Sequence, residues 1–267
     1  MAPYDTSLQH ILAELERIDL LVQVQVWRAR QLNEADEQFQ GLVITEQEVD
    51  ALLAAPAGLP RWAMETAPLA LPDVQAALDQ LAAGIGLRKA ASAHNGIALR
   101  LDTLAHLFEL TPFDVDALLI CLAPELDLRY ERFYSYLQDD VTKKRPSVDL
   151  VLNLLSPSFA AKLALRQRFT EAAPLVKHRL LSIFDDPSNQ QPPLLSKYLK
   201  ADERVVRYLL DQDDIDPRLH PYARHAMPQA SLKELLLPEA MKQRLAGLVH
   251  TRNRADGELI QIGRAHV

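Results

Sequence analysis

The chain has 267 residues, a formal net charge of -7 at pH 7 and 48% hydrophobic residues. That length accommodates one large domain or two ordinary ones, and the apolar share excludes wholesale disorder. Its 8 glycines are about 3% of the chain against a usual share of roughly 7%, which argues against folds built on many tight turns and against glycine-rich nucleotide loops. One cysteine, Cys121, excludes an internal disulfide framework and any cysteine-built zinc site. The opening Met1-Ala2-Pro3-Tyr4-Asp5 lacks a basic segment followed by an apolar core, and no run reaches the ~18 apolar residues of a membrane span. A cytoplasmic, mainly helical protein with no membrane partner is expected.

The charge is unevenly spread. Residues 1–140 hold 9 Lys+Arg against 22 Asp+Glu, a net of -13. Residues 141–181 hold 8 basic against 2 acidic, a net of +6, and residues 182–267 balance 12 against 12. An acidic body with one basic segment is not the broad positive surface of a general nucleic-acid binder, although it can carry a local patch.

In chain order, Thr6 and Gln9 have capping-box spacing ahead of Leu8, Ile11, Leu12, Leu15, Ile18, Val22 and Val26, which recur at helical steps. This predicts a first helix running to about residue 38. Thr45 and Glu48 repeat the signal before a short helix with Val49, Leu52 and Leu53. Pro56, Gly58, Pro60, Pro68 and Pro72 then punctuate a linker, whose Leu59, Trp62 and Leu69 suit a segment lying on a surface. An Ala- and Leu-rich helix is predicted over 73–93.

A further helix ends near Leu110. Thr111 is a good N-cap, with Pro112 at the first helical position and Asp114 in the positive first turn. That helix carries Val115, Leu118, Leu119 and Leu122 and is expected to stop at Pro124. A third, over 125–140, shows Leu126, Tyr130, Phe133, Tyr134 and Leu137. These three form the front half of a helix-turn-helix arrangement. Helices are also predicted over Ser147–Leu155 and Pro157–Phe169. Lys177 to Phe184 and Leu194 to Leu199 flank the turn-rich Asp185-Asp186-Pro187-Ser188-Asn189, as the two strands of a wing. Asp202 caps a helix with Val205, Val206, Leu209 and Leu210. Residues 211–230 read as a second linker, and Pro238 opens a last helix striped by Met241, Leu245, Leu248 and Val249. Glu258 to Ile262 is a plausible strand start. The fold class expected is mainly α: a helical N-terminal region over 1–95, then a winged-helix-like domain with a two-stranded β wing over 96–211. A linker over 212–237 and the start of another domain over 238–267 follow.

Most chemical constellations fail on spacing. Gly84-Ile85-Gly86 has no third glycine in place and reads as a helix terminus, and no Gly-Lys-Ser/Thr phosphate loop occurs. His220 and His225 are five apart, not the four of a helical zinc pair. Asp211, Asp213, Asp214 and Asp216 lack the sixth-position glycine and twelfth-position Glu of a calcium loop, where Asp216 and Tyr222 stand instead. Cys121 lies on an apolar helix and reads as a small buried hydrophobe. Tyr130, Phe133, Tyr134 and Tyr136 have the spacing of core packing rather than of a stacking platform. No catalytic, cofactor-binding or metal residue is therefore assigned.

The basic segment is the candidate partner-binding feature: Lys143, Lys144, Arg145, Lys177 and Arg179, with Lys162, Arg166 and Arg168 nearby. A DNA-binding winged helix reads the major groove with its third helix. Helix 125–140 carries five acidic residues (Glu125, Asp127, Glu131, Asp139 and Asp140) against Arg129 and Arg132, a net of -3 that opposes phosphate approach. A solvated basic face is the plainest reading of the segment, and of the two binding readings a protein-contact patch is favoured over DNA.

Leu107-Phe108-Glu109-Leu110-Thr111-Pro112-Phe113-Asp114-Val115-Asp116 and Cys121-Leu122-Ala123-Pro124-Glu125-Leu126-Asp127-Leu128-Arg129-Tyr130-Glu131-Arg132 resemble the N-terminal region of a bacterial AAA+ ATPase family. The likeness continues through Tyr136 to Asp140, Lys144 to Leu150 and His178 to Leu181, and spans about residues 97–211. Members of that family carry a winged-helix domain before the ATPase core, and some are encoded with contractile injection systems. The resemblance implies the recruitment or regulatory module of an ATP-driven remodelling protein. The full-length parent would use ATP and Mg and form a homo-oligomer through its ATPase core, and a protein substrate or assembly partner would meet this module. The alternative is a stand-alone winged-helix DNA regulator.

In that family the phosphate-binding loop closely follows a helix like Pro238–His250 and its strand. Here Leu259-Ile260-Gln261 is followed by Ile262-Gly263-Arg264-Ala265-His266-Val267, an ending that resembles read-through into a sequencing adapter. The expectation is a truncated gene whose last residues are foreign. Sequencing the locus should reveal Gly-x-x-x-x-Gly-Lys-Ser/Thr within about 20 further codons; a genuine stop codon after Val267 would overturn this.

Overall fold

Hydrogen-bond capping decides where the first helix begins. In the computed structural model, Thr6 Oγ1 accepts from the Gln9 backbone N–H at 3.3 Å, and Gln9 Oε1 turns back to accept from Asp5 N–H at 2.9 Å. Helix α1 accordingly spans Ser7–Asn33. The structure describes residues 2–33, 72–186, 191–213 and 236–252, with positions 58, 60, 63 and 222. The predicted helix at Thr45, the residues Leu59, Trp62 and Leu69, the pair His220 and His225 and the strand start at Glu258 lie outside them. Ile11, Leu15, Ile18, Val22 and Val26 of α1 are buried, but Leu8 and Leu12, expected in the same stripe, are exposed.

Helix α2 spans Pro72–His94 and lies against α1. Ser92 Oγ accepts from Tyr4 N–H at 2.8 Å and donates to Tyr4 O at 3.2 Å, while the Arg88 guanidinium sits 3.8 Å from the Tyr4 ring centroid. These contacts hold the N-terminal residues on α2. Gly84-Ile85-Gly86 lies inside this helix rather than at its end, with Ile85 buried.

Helix α3 (Arg100–Leu107) leads to α4 (Pro112–Leu126), whose start follows the sequence signal in detail. Thr111 Oγ1 accepts from Asp114 N–H at 3.4 Å, and an Asp114 carboxylate oxygen accepts from Thr111 N–H at 2.8 Å, a reciprocal capping box ahead of Pro112. Every residue from Ala117 to Ala123 is buried, as expected of a helix that is apolar all round.

Helix α4 does not stop at Pro124 but continues to Leu126. Proline has no N–H, so the Ile120 carbonyl four residues back loses its helical donor. The Tyr134 hydroxyl supplies one at 2.8 Å, from helix α5 (Arg129–Leu137). Tyr134 is fully buried, and burial pushes its hydroxyl well above the ordinary tyrosine range, so the group keeps its proton and donates. Helix α5 is shorter than the predicted 125–140. Its Tyr130 and Tyr134 are core residues, while Tyr136 is exposed.

Ser147 caps α6 (Val148–Leu155) by accepting from Leu150 N–H at 3.1 Å. Ser158 caps α7 (Phe159–Leu165), which tightens into a 3-10 turn over Arg166–Phe169 rather than staying α-helical to Phe169. A short helix α8 (Pro174–Lys177) precedes β1 (Leu181–Phe184). The returning strand β2 is Tyr198–Ala201, later than predicted because Leu194–Ser196 forms a 3-10 turn. The strands pair antiparallel, with Leu181 opposite Ala201 and Phe184 opposite Tyr198, and Ser147 adds a bridge to Tyr198. Helix α9 (Glu203–Leu209) starts on the Asp202 side chain as expected.

Among the described residues the molecule is therefore mainly helical with one two-stranded ribbon, a winged-helix arrangement. Residues 1–214 make one compact unit, in which α1, α4, α5, α6, the ribbon and α9 share one apolar core. Residues 215–267 make a second unit. There α10 (Glu239–Arg252) begins with Met241 N–H donating to Pro238 O at 2.9 Å, and Met241 and Leu245 of its apolar stripe are exposed. Among the described residues no helix is long and apolar enough to cross a membrane.

The Tyr134 hydroxyl and the missing Pro124 N–H should be coupled. Tyr134→Phe is expected to lower unfolding free energy by about 1–3 kcal/mol, the cost of an unsatisfied buried acceptor. In a Pro124→Ala background, where the helix donor returns, the same change should cost clearly less; urea denaturation of the four proteins in the cycle measures it.

Candidate functional site

A winged-helix domain presents the second helix of its helix-turn-helix pair. The Ser147–Tyr198 bridge places a third strand-like segment before α6, so α6 and α7 form that pair, with only the one-turn α8 between α7 and β1. The Ser156-Pro157-Ser158 turn joins them. The reader position therefore falls to α7 with its 3-10 turn, not to α5. The chain order gave no sign of this, because the bridge that defines it links residues 51 positions apart in sequence (198 minus 147).

Three basic residues lie on this element, and two are committed inward. Lys162 is buried; its Nζ is 2.6 Å from Asp149 Oδ1 on α6 and donates to the Gly58 carbonyl at 2.7 Å. Arg168 makes a two-pronged ion pair with Asp114, the fully buried capping residue of α4, with Nε 3.0 Å from Oδ1 and Nη2 on Oδ2. Arg166 alone of the three is exposed, and Phe159 and Leu163 are exposed beside it. The spacing 159, 162, 163, 166 places these four side chains on one helical face.

The wing offers few loose cations. Lys197 pairs with Asp185 at 2.8 Å and Lys200 with Glu125 at 3.8 Å. On α5, Arg129 pairs with Asp19 at 3.1 Å and with Asp127 at 3.0 Å.

The five predicted contact residues occupy two places. Lys143, Lys144 and Arg145 lie in the loop between α5 and α6. Gln138 shapes that loop: its Nε2 donates to the carbonyls of Lys143 at 3.1 Å and Arg145 at 3.0 Å, and its Oε1 accepts from Ser147 N–H at 3.2 Å. Lys144 and Arg145 are exposed, Lys143 is half-buried 3.8 Å from Asp140, and the Arg145 guanidinium stacks 5.3 Å from the Phe184 ring centroid. Lys177 and Arg179 are exposed just before β1. Leu181 and Phe184, the two ends of β1, are roughly 10 Å apart at the usual strand rise, so the two groups flank the strand rather than merge.

Among the described residues neither a phosphate cradle nor a metal centre is formed. The amides of Gly84 and Gly86 sit within α2, where they belong to a helical ladder instead of a loop. Asp211 and Asp213 turn to Arg100, at 2.7 Å and 2.6 Å, and Asp214 and Asp216 lie outside the described residues. Among the described residues no group of three metal-ligating side chains occurs. Cys121 is buried, and burial pushes its thiol far above the range in which it ionises.

A comparison with protein families matches residues 1–223 to the winged helix domain, variant. Neither the curated proteins nor the solved structures yield a match.

The Arg168–Asp114 pair fastens the presented helix to α4. Replacing Arg168 by Met leaves the Asp114 carboxylate buried without its cation and should cost about 3–5 kcal/mol. Thermal denaturation measures the loss, and a change below about 0.5 kcal/mol, as for an ordinary surface substitution, would rule out this anchoring.

Proposed function

The chain belongs to the variant winged helix domain family, and we propose that it serves as the partner-recruitment module of an ATP-driven AAA+ remodelling protein. The observation that carries the protein-contact half of this reading is the reader helix itself. Two of its three cations are consumed by Asp149 and Asp114, and its exposed face adds Phe159 and Leu163. Specific DNA binding draws its affinity from many free cations meeting phosphates, and an element with one exposed arginine and two exposed apolar side chains is ill-suited to that. Apolar and arginine side chains at the centre of a polar surround are the usual composition of a protein contact.

The motor half of the reading rests on the resemblance of Leu107–Asp116 and Cys121–Arg132 to the AAA+ family's N-terminal region. In the fold these segments are α4, its cap and α5, the centre of the first unit. The second reading, a stand-alone DNA regulator, draws on the exposed Lys144 and Arg145 near the wing.

Fluorescence anisotropy with a labelled duplex at about 50 and 200 mM salt separates the two. The protein is expected to bind no tighter than the non-specific range, roughly 1–100 µM at physiological salt. Nanomolar affinity that falls by a factor of about 10³ or more between those salts would establish the DNA regulator instead.

A further inference from the structure

The ribbon leaves one of its edges open. The Leu180 carbonyl accepts from Asp202 N–H at 3.0 Å, which fixes the phase of the ladder. With Leu181 opposite Ala201, the hydrogen-bonded pairs are Ser182 with Lys200 and Phe184 with Tyr198. The N–H and C=O groups of Leu181 and Ile183 therefore point away from β2. The far edge of β2 is occupied: Leu199 N–H donates to Pro146 O at 2.9 Å, and Lys197 O accepts from Val148 N–H at 2.9 Å. Among the described residues no backbone group bonds the outward groups of Leu181 and Ile183.

Native sheets usually blunt an open edge with a charge or a proline within the strand. Leu181-Ser182-Ile183-Phe184 has neither. The charges lie past its ends instead. Lys177 and Arg179 precede the strand, while at its far end Arg145 lies over the Phe184 ring with Lys144 next to it in the chain. Lys144, Lys177 and Arg179 are exposed and have no carboxylate partner among the described residues. The acidic residues that follow Phe184 are already engaged: Asp185 pairs with Lys197 at 2.8 Å, and Asp186 accepts from the Tyr198 hydroxyl at 3.3 Å.

We propose that the outer edge of β1 takes an extended acidic segment of a protein partner, which joins the ribbon as an antiparallel strand. The proposal rests on the protein-contact reading above and deepens it, adding a contact on the wing to the one on α7. The open backbone selects a peptide. Two outward carbonyls require donors, which an extended chain supplies and the phosphates of a nucleic acid do not. Antiparallel pairing lets one residue exchange both hydrogen bonds with Leu181 and another do so with Ile183. The pleat then sets the partner's sequence. Residues opposite Leu181 and Ile183 share their face, where Leu181 is buried and Ile183 half-buried, so they should be apolar. Residues that bracket this pair lie on the other face, four positions and about 13 Å apart. One falls at the Arg145 end of β1 and the other at the Arg179 end, so both should be acidic. The expected pattern is acidic, apolar, polar, apolar, acidic.

The experiment titrates the full chain into a fluorescein-labelled peptide with the core Glu-Val-Ser-Val-Glu and follows anisotropy. Three relatives of the peptide separate backbone from charge: one with Lys for Glu, one N-methylated at both valines, and one N-methylated at the serine. The valine amides would face β1, so methylating them should weaken binding about tenfold or more, whereas methylating the serine should leave it unchanged. The Lys peptide should bind about tenfold more weakly than the Glu peptide, and the double variant Lys144→Glu with Lys177→Glu, at two exposed positions, should reverse that preference. In residue-resolved hydrogen exchange of the parent chain, saturating Glu peptide should slow the amides of Leu181 and Ile183 and leave those of Ser182 and Phe184 as they were. Equal losses from the valine and serine methylations, or unchanged exchange at Leu181 and Ile183, overturn strand addition. Equal binding of the Glu and Lys peptides overturns the acidic partner. No binding of the Glu peptide overturns the whole proposal and leaves the α7 contact standing, whereas nanomolar, salt-sensitive duplex binding overturns the protein-contact reading beneath it.

Discussion

A proline that follows the buried middle of a helix leaves a carbonyl that water cannot reach, and the first unit is built around answering that demand. Pro124 removes the donor for Ile120, and Ala117 to Ala123 are buried on every side. Only a side chain delivered from another element can satisfy the acceptor. Tyr134 does so, and its reach fixes how α5 folds back on α4. The apolar neighbours of α4 then take their places on α1, α6 and β2, all within the same core.

Helix α4 also organises the charges. Asp114 holds Arg168 from the turn after α7, Asp116 holds Arg17 from α1, and Glu125 faces Lys200 on β2. Each carboxylate ties a different element to the same helix. Burial pushes the Asp116 carboxyl upward, against the pull of Arg17, so acid weakens this tie at a higher pH than it would an ordinary aspartate pair. The uneven charge of the sequence acquires a structural meaning here: part of the surplus of cations over 141–181 neutralises acidic residues, such as Asp114, that come earlier in the chain. What looks in one dimension like a basic patch is partly the other half of internal pairs.

Local chemistry was readable from residues alone. Thr6 with Gln9, Thr111 with Pro112 and Asp114, and Asp202 all open helices where their spacing predicts, because a cap is a contact between residues two or three apart. The wing was visible as two apolar runs around a turn-rich stretch, although the 3-10 turn at Leu194 delayed the second strand. Contacts between distant residues were not legible. Pro124 read as a terminator because its remedy, Tyr134, lies on the next helix. Lys162 and Arg168 read as a surface because Asp149 and Asp114 are spatial partners without a sequence signature. Gly58 read as linker punctuation, while its constraint is the ring of Phe159, 101 residues further on (159 minus 58). The assignment of the reader helix failed for the same reason, since only the Ser147–Tyr198 bridge reveals which helices belong to the ribbon.

Arg100 sits where the chain leaves the first unit. Its guanidinium reaches both Asp211 and Asp213, donates to Tyr208 O at 2.8 Å, and lies 4.9 Å from the Tyr208 ring centroid. All of these attach the start of α3 to the residues that close α9. In mechanical terms this is an anchor bolt: the bidentate fork fastens the residues that follow α9 to α3, so the C-terminal edge of the first unit is tied to its N-terminal half and not held by the hydrogen bonds of α9 alone.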